Sequence, residues 1–403
     1  MTIRSLAELL PGAAHLLGLP HLLGLPHLAA PPHPAAAPHP AGAPHPAESG
    51  SGLAAELTDA VGSARHVIVA LIDGLGDRQL AAHADLMPHL GALRDLGPLS
   101  APFPSTTCVS LTSLGTGLPP GMHGIVGSSF RLDDGSTLAP LSWGAVPNPI
   151  ATQPEPTILE RAAAAGVVVT TAAPSAHRTS GLTRAALRGG QYPGADTLTA
   201  RLEVTRGALT RARSEGRASL TYVYWPDLDK TAHVHGVDSG AYRAELARVD
   251  WLVAGLCGLT GPDVVLLVTA DHGMVDVPVD RRIDLEARPA LRRGVQTILG
   301  EPRVRHVYTQ PGAQRDVLAA WAEELGDRAQ VRTRAQVGDL LGPVDDWYAD
   351  RIGDVVAIAT QDWALVSTRI DSLVSGLRGQ HGGLTDAEVL VPLRLAGGGT
   401  PSG

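Results

Sequence analysis

The chain has 403 residues, including 46 Gly and 32 Pro, with 32 basic against 40 acidic side chains and a formal net charge of −8. That balance excludes a dedicated binder of nucleic-acid backbones, which needs a basic face, so no nucleic-acid polymer is expected as a partner. At 44% apolar residues a sizeable core can form, whereas the longest uncharged stretch, Leu9–Ala47, is broken too often by Pro and His to span a bilayer.

Six of the 16 His stand at 15, 21, 27, 33, 39 and 45, in hexads such as HLLGLP and HPAGAP. A Pro in every hexad forbids a regular helix, so residues 1–50 read as a low-complexity, His/Pro-rich disordered tail. Its imidazoles suit a transition metal, but a tolerated repeat expansion outside the fold is the preferred reading. Cys108 and Cys257 are the only cysteines, which is too few for a disulfide framework. No basic region followed by a clean apolar stretch opens the chain, so a cytoplasmic location is expected.

From residue 51 the texture changes to short apolar runs alternating with helix-like stretches. His66–Ile72 (HVIVALI), Gly166–Thr171, Ser219–Trp225 (SLTYVYW) and Val264–Thr269 (VVLLVT) lack polar alternation and suit strands buried on both faces of a parallel sheet. Thr197–Ser214 and Tyr242–Cys257 repeat apolar residues at helical spacing. The pattern predicts an α/β catalytic domain over 51–403, a doubly wound, mostly parallel sheet flanked by helices. Within it, residues 276–365 read as a small α+β insertion or cap.

Three of the buried runs lead into carboxylates: Asp73-Gly74, then Asp227-Leu228-Asp229, then Asp271-His272-Gly273. Open parallel sheets bind ligands beyond the carboxyl ends of their strands, so these acids should share one rim. Asp229 and His233 are four apart, a spacing that points both side chains the same way on a helix. His381 lies in Gly379-Gln380-His381-Gly382-Gly383, where glycines allow close approach of the backbone. Together Asp73, Asp229, His233, Asp271, His272 and His381 form an N/O donor set suited to two Zn²⁺ ions, with other divalent transition metals as alternatives. In Pro104-Ser105-Thr106-Thr107-Cys108, the Pro and the hydroxyl residues mark a helix start. Thr106 or Thr107 there is a plain N-cap or a nucleophile whose alkoxide the helix N-terminus stabilises.

IDG at 72–74, TGLPPGMHGIVG at 116–127, DxxxHxxG at 229–236, DHGM at 271–274 and GQHGG at 379–383 together resemble the alkaline phosphatase superfamily. The likeness is greatest to its nucleotide pyrophosphatase/phosphodiesterase (type I phosphodiesterase) branch. The resemblance implies a hydrolase with an alkaline-phosphatase-like fold. Its nucleophilic Thr stands nine residues before the TG of the TGL motif, which is Thr107. One zinc would be held by Asp73, Asp271, His272 and the Thr107 oxygen, the other by Asp229, His233 and His381. The same motifs place His123 with the chemistry. The Cys/Ser-x-Pro-x-Arg signature of sulfatases is absent at Thr107. Ser128 stands where this branch usually has an Asn that bonds the phosphoryl oxygen, and Lys230, the only Lys, falls between two presumed ligands. Both are candidate substrate-binding residues.

The expectation is therefore a two-zinc phosphoryl-transfer hydrolase. It cleaves phosphodiester or pyrophosphate bonds of a small phosphate-ester substrate, nucleotides included, through a phosphothreonyl intermediate. A phosphomonoesterase or phosphonate hydrolase with the same metal core is the alternative. A non-catalytic metal- or phosphate-binding protein comes third, since it predicts a lost ligand or nucleophile.

Overall fold

The computed structural model of the protein describes residues 3–20, 52–144 and 147–399. Four strands form the parallel heart of the larger sheet: β1 (His66–Ile72), β2 (Val168–Ala172), β3 (Ser219–Trp225) and β4 (Val264–Thr269). Every residue of these strands is buried, as expected of runs without polar alternation. The spatial order is β2-β3-β1-β4, with β1 in the centre. Four further strands, β5 (Val295–Glu301), β6 (Val304–Thr309), β7 (Ala329–Thr333) and β8 (Val355–Ala359), make a separate antiparallel sheet in the order β5-β6-β8-β7. A final strand, β9 (Arg394–Gly397), pairs antiparallel with β4 and carries the two-residue edge strand Arg94–Asp95.

The register explains the site. Ile72 is level with Trp225, and Leu71 with Thr269, so β1, β3 and β4 end side by side. Asp73, Asp227 and Asp271 therefore follow from adjacent strand ends. The smaller sheet falls inside the 276–365 segment. One of its faces covers an apolar cluster of its own around Ile283, Val307, Trp321 and Val355. Val304, Val356 and Ile358 join the main core instead.

Helix α1 (Leu9–Leu16) and helix α2 (Gly52–Val61) pack on each other, and α1 also meets β1. This corrects the expected tail over residues 3–20. Arg4–Ser5 pairs in parallel with Leu99–Ser100, and Leu6, Leu9, Leu10, Ala13 and Leu16 are buried in the main core. Pro11 lies within the first turn of α1, where its missing N–H leaves no helical hydrogen bond unmade. The reading of residues 21–50 as a disordered, His-rich tail falls outside the described residues. Among the described residues no helix is long and apolar enough to cross a membrane.

Candidate active site

Helix α3 (Thr107–Thr116) starts beyond the Pro104–Thr106 turn, and all ten of its residues are buried. Thr106, extended at φ −136°, is the N-cap residue but makes no side-chain cap. Thr107 is the first helical residue, so its hydroxyl lies at the positive end of the helix dipole. Its Oγ1 is 3.1 Å from Nε2 of His272. This distinguishes Thr107 from Thr106, whose buried hydroxyl makes no hydrogen bond.

Helix α4 (Leu198–Ser214) packs on β2 and β3, and helix α5 (Asp227–His235) follows β3 directly. Asp229 and His233 face the same way on α5, with His233 Nε2 3.4 Å from Asp229 Oδ1. His381 Nε2 is 3.8 Å from the same oxygen. His272 Nε2 lies 3.6 Å from Asp73 Oδ1 and 3.5 Å from Asp271 Oδ2. The imidazoles of His272 and His381 stack at 3.8 Å between ring centres. Gly74 permits this crowding: its φ is +76°, and a Cβ there would stand 3.0 Å from that of Asp229.

All three histidines are oriented alike. His233 Nδ1–H donates to the Gly379 carbonyl, His272 Nδ1–H to that of Gly273, and His381 Nδ1–H to that of Ser105. Each Nε2 lone pair is thereby turned toward the carboxylates, the arrangement by which backbone carbonyls fix metal-binding imidazoles. Asp73 Oδ2 accepts from the Tyr224 hydroxyl, and Asp271 Oδ1 accepts from the Gly74 and His272 amides. Their other oxygens, with Asp229 Oδ1, are buried and meet no hydrogen-bond donor. Burial, then the charges of Asp271 and Asp229, pushes the Asp73 carboxyl well above its ordinary range. Burial also raises Asp271, against the pull of His272, and lowers His381, helped by His272 and His233. Partnerless carboxylate oxygens beside imidazole lone pairs fit a divalent cation, which supplies the charge that lets these acids ionise.

Among the described residues two groups are suited to hold a metal ion, Asp229–His233–His381 and Asp73–Asp229–His272. Asp229 belongs to both, so its carboxylate lies between the two positions, and Asp271 borders the second through His272.

Not every expected residue joins them. Lys230 points outward, with 61% of its side chain exposed, and pairs with Asp227 at 3.2 Å. Ser128 is half-buried. The neighbouring Gly127 carbonyl accepts the Cys108 thiol, which ties that turn to the helix of Thr107. His123 is no part of the cluster. Its Nε2 meets the Ser113 hydroxyl and its Nδ1 accepts from the Ile125 amide, and burial lowers its pKa to about 3. It locks the turn after α3 instead.

Sequence reasoning missed three contributors. Tyr224, which anchors Asp73, was signalled by a pair of tyrosines two apart in an otherwise apolar strand. Arg303 and Glu388 form a fully buried ion pair at 2.7 Å. Glu388 Oε1 also accepts from the Gly383 amide, and the Ser105 amide donates to the Gly382 carbonyl. The turn before α3 and the loop carrying His381 are thereby fastened together, with the smaller sheet behind them.

The family model of type I phosphodiesterase / nucleotide pyrophosphatase matches residues 67–384, and the chain belongs to that family. The fold is similar to that of murine ectonucleotide pyrophosphatase/phosphodiesterase 5, with a TM-score of 0.66 and 19% identity over 83% of this chain and 89% of that one. An inactive form of that murine protein, with one threonine replaced by alanine and in complex with AMP, gives 0.65 and 20% over the same shares, 83% and 89%. Phosphonoacetate hydrolase from Sinorhizobium meliloti 1021, in complex with phosphonoformate, gives a TM-score of 0.62 and 21% identity over 81% and 89% of the two chains. These likenesses are of fold, and the family makes the chain a hydrolase of the phosphodiesterase/pyrophosphatase type.

Proposed function

We propose that this chain is a two-zinc phosphoryl-transfer hydrolase. It cleaves a phosphodiester or pyrophosphate bond of a small substrate, nucleotides included, through a phosphothreonyl intermediate on Thr107. The observation that carries this reading is the Thr107 hydroxyl, placed at a helix N-terminus 3.1 Å from His272 Nε2 and near three carboxylates that each leave one buried oxygen without a hydrogen-bond donor. An inactive threonine-to-alanine form of the murine relative supports a threonine in this role.

Asp73, Asp271, His272 and the Thr107 oxygen would hold one ion, and Asp229, His233 and His381 the other. Ions bound there neutralise the phosphoryl oxygens and lower the pKa of a hydroxyl and a water, the chemistry of two-metal displacement. The chain's own residues do the rest. His272 Nε2, its Nδ1–H held by Gly273, faces the Thr107 oxygen at 3.1 Å, so that both atoms would meet the same ion. Thr107 Oγ1 gives up its proton to solvent and attacks phosphorus, and the opposite P–O bond breaks with its electron pair on the departing oxygen, which takes up a proton from water. Water then attacks phosphorus, the P–Oγ1 bond breaks, and Thr107 regains its proton. Ser128 and Lys230 remain candidates for holding the substrate's phosphoryl oxygens. Residues 276–365 serve as a cap that supports the His381 loop from behind. The two cysteines are free thiols, which agrees with a cytoplasmic location.

Phosphonate hydrolysis is the second reading, favoured by Ser128 in the usual place of an Asn and by the likeness to phosphonoacetate hydrolase. A non-catalytic role is disfavoured because no ligand and no nucleophile is missing.

The test is Thr107→Ala against Thr106→Ala. Thr107→Ala should abolish turnover of a chromogenic phosphodiester while zinc content stays near that of the wild type, and Thr106→Ala should retain activity. The reverse pattern would move the nucleophile. A panel of nucleotide pyrophosphates, diesters, monoesters and phosphonates, with and without chelator, separates the two readings.

A further inference from the structure

Glu301 is the last residue of β5, and it pairs with Val304 of β6 across Pro302-Arg303. The chain is pinned on either side of it. The Ser129 hydroxyl donates to the Gly300 carbonyl at 3.2 Å and accepts from the Gly300 amide at 2.8 Å. Two residues beyond Glu301, the Arg303 guanidinium is held by the Glu388 carboxylate. The backbone of Glu301 therefore has little room to retreat, and its side chain is buried.

That side chain enters the seam between the turn before α3 and the His381 loop. Across the seam the Ser105 amide donates to the Gly382 carbonyl at 3.2 Å, and the Ser105 hydroxyl donates to that of Gly383 at 2.9 Å. His381 Nδ1–H donates to the Ser105 carbonyl at 3.1 Å. The Glu301 carboxyl lies directly on this backbone, since a Cβ on Gly382 would stand only 2.8 Å from Glu301 Cδ. On the other side of the seam, the Thr106 hydroxyl is the neighbour that most favours ionisation of the carboxyl. Thr106 Oγ1 and Glu301 Oε1 are both buried, and neither makes a hydrogen bond among the described residues. Each is open to the other.

Its chemistry sets Glu301 apart from a plain support. Arg305 draws the carboxyl down, but that guanidinium is itself held by Asp371 and the Leu365 carbonyl. Burial outweighs the pull of Thr106 and Arg305 and, with the Glu388 and Asp371 charges, raises the acid to about 8. At neutral pH it keeps its proton, so it carries an O–H donor that a hydroxyl can accept. Burying such a group unpaired costs stability that an apolar side chain would not. Departures of this kind are expected where function requires the group.

We propose that Glu301 is a positioning residue: its carboxyl spans Thr106 and Gly382, and so fixes the Thr107 hydroxyl relative to the His381 imidazole. The proposal rests on the reading of Thr107 as nucleophile, and gives that nucleophile a support from the smaller sheet. Glu301 acts through these two neighbours and not on the substrate. A misplacement of about 1 Å at a reacting group can cost on the order of 100-fold in rate.

The experiment uses the full zinc-loaded chain and bis(para-nitrophenyl) phosphate, with Glu301→Leu, Glu301→Gln, Thr106→Val and the double change Glu301→Leu with Thr106→Val. Glu301→Leu should lower kcat roughly tenfold or more, with KM and zinc per chain within about twofold of the wild type. Glu301→Gln keeps an N–H donor in that place and should retain at least about a third of kcat. Thr106→Val should lower kcat about threefold, and the double change roughly tenfold rather than thirtyfold, as coupled partners require. A merely structural Glu301 would instead lower the melting temperature or the zinc content and leave kcat per bound zinc unchanged. That result, an unaltered kcat in Glu301→Leu, or single effects that multiply in the double variant would each overturn the proposal. If Glu301→Leu does not fold, Glu301→Asp, which draws the carboxyl back by one methylene, carries the test with the same split between kcat and KM. Full turnover in Thr107→Ala would remove the nucleophile reading and this proposal with it. Turnover lost in Thr107→Ala but intact in Glu301→Leu would remove this proposal alone.

Discussion

The Tyr224 hydroxyl donates to Asp73 Oδ2 across the boundary between β3 and β1, which leaves Asp73 Oδ1 turned toward His272. A carboxylate held this way presents one oxygen in one direction. Tyr224→Phe removes the anchor with little change in shape. Loss of such an outer partner typically weakens metal binding by about 10–100-fold. Zinc titration of the metal-free variant against a chromogenic chelator should show that loss, with the melting temperature of the metal-free protein nearly unchanged.

The Arg303–Glu388 pair gives a second prediction. Glu388→Ala leaves the Arg303 guanidinium buried without its counter-charge and releases the Gly383 amide. Breaking a buried pair in this way costs roughly 3–5 kcal/mol, readable by urea denaturation. The double change Arg303→Met with Glu388→Leu should recover much of the stability. It should not recover zinc affinity at the His381 position, because Gly383 still lacks its acceptor.

Glu301 provides a pH signature of its own. Burial raises its carboxyl from an ordinary value near 4.5 to about 8. Below the ordinary value the acid is protonated whether folded or not. Between the two values the folded chain keeps a proton that the unfolded chain has released, so stability falls as pH rises toward 8. Melting curves of zinc-saturated protein should therefore show the wild type losing stability relative to Glu301→Gln from about pH 5 to about pH 8. Parallel curves would show that the carboxyl is already ionised.

Metal removal should follow the same logic with the opposite sign. The Asp73 and Asp271 carboxyls sit above their ordinary range without a cation, and every ligand must lose its proton to bind one. Apparent zinc affinity should thus decline on acidification from neutral pH, earlier than ordinary carboxylates would require. A chelator should abolish activity, and added Zn²⁺ should restore it.

The N-terminal segment is tested by Leu10→Ala, which empties a fully buried position in α1. It should cost about 2–5 kcal/mol, in line with Leu-to-Ala changes in other cores. A change near zero would mean that this helix adds nothing to the main core.

Much of this was legible beforehand. HVIVALI, SLTYVYW and VVLLVT announce themselves because strands buried on both faces need no polar alternation, and their ends predict where the acids gather. The N-terminal helix was hidden because the hexad texture begins at His15, inside it. The signal that could have revealed it is Ser5-Leu6-Ala7-Glu8, a capping box that the structure forms in full. The pairing of Lys230 with Asp227, three positions before it on the same helix, was not foreseen from its place between two presumed ligands. The roles of Arg303, Glu388 and Glu301 depend on how the smaller sheet sits behind the His381 loop, and no local pattern carries that information.

The pairing of β9 with β4, and of Ser105 with Gly382, has a consequence for the life of the chain on the ribosome. Asp73 and Thr107 emerge well before His381 and the strand beyond it. A nascent or prematurely terminated chain has acids and a nucleophile but lacks the imidazole and the clasp that complete the set. On the proposed mechanism such a fragment should be inert until His381 and β9 have been made.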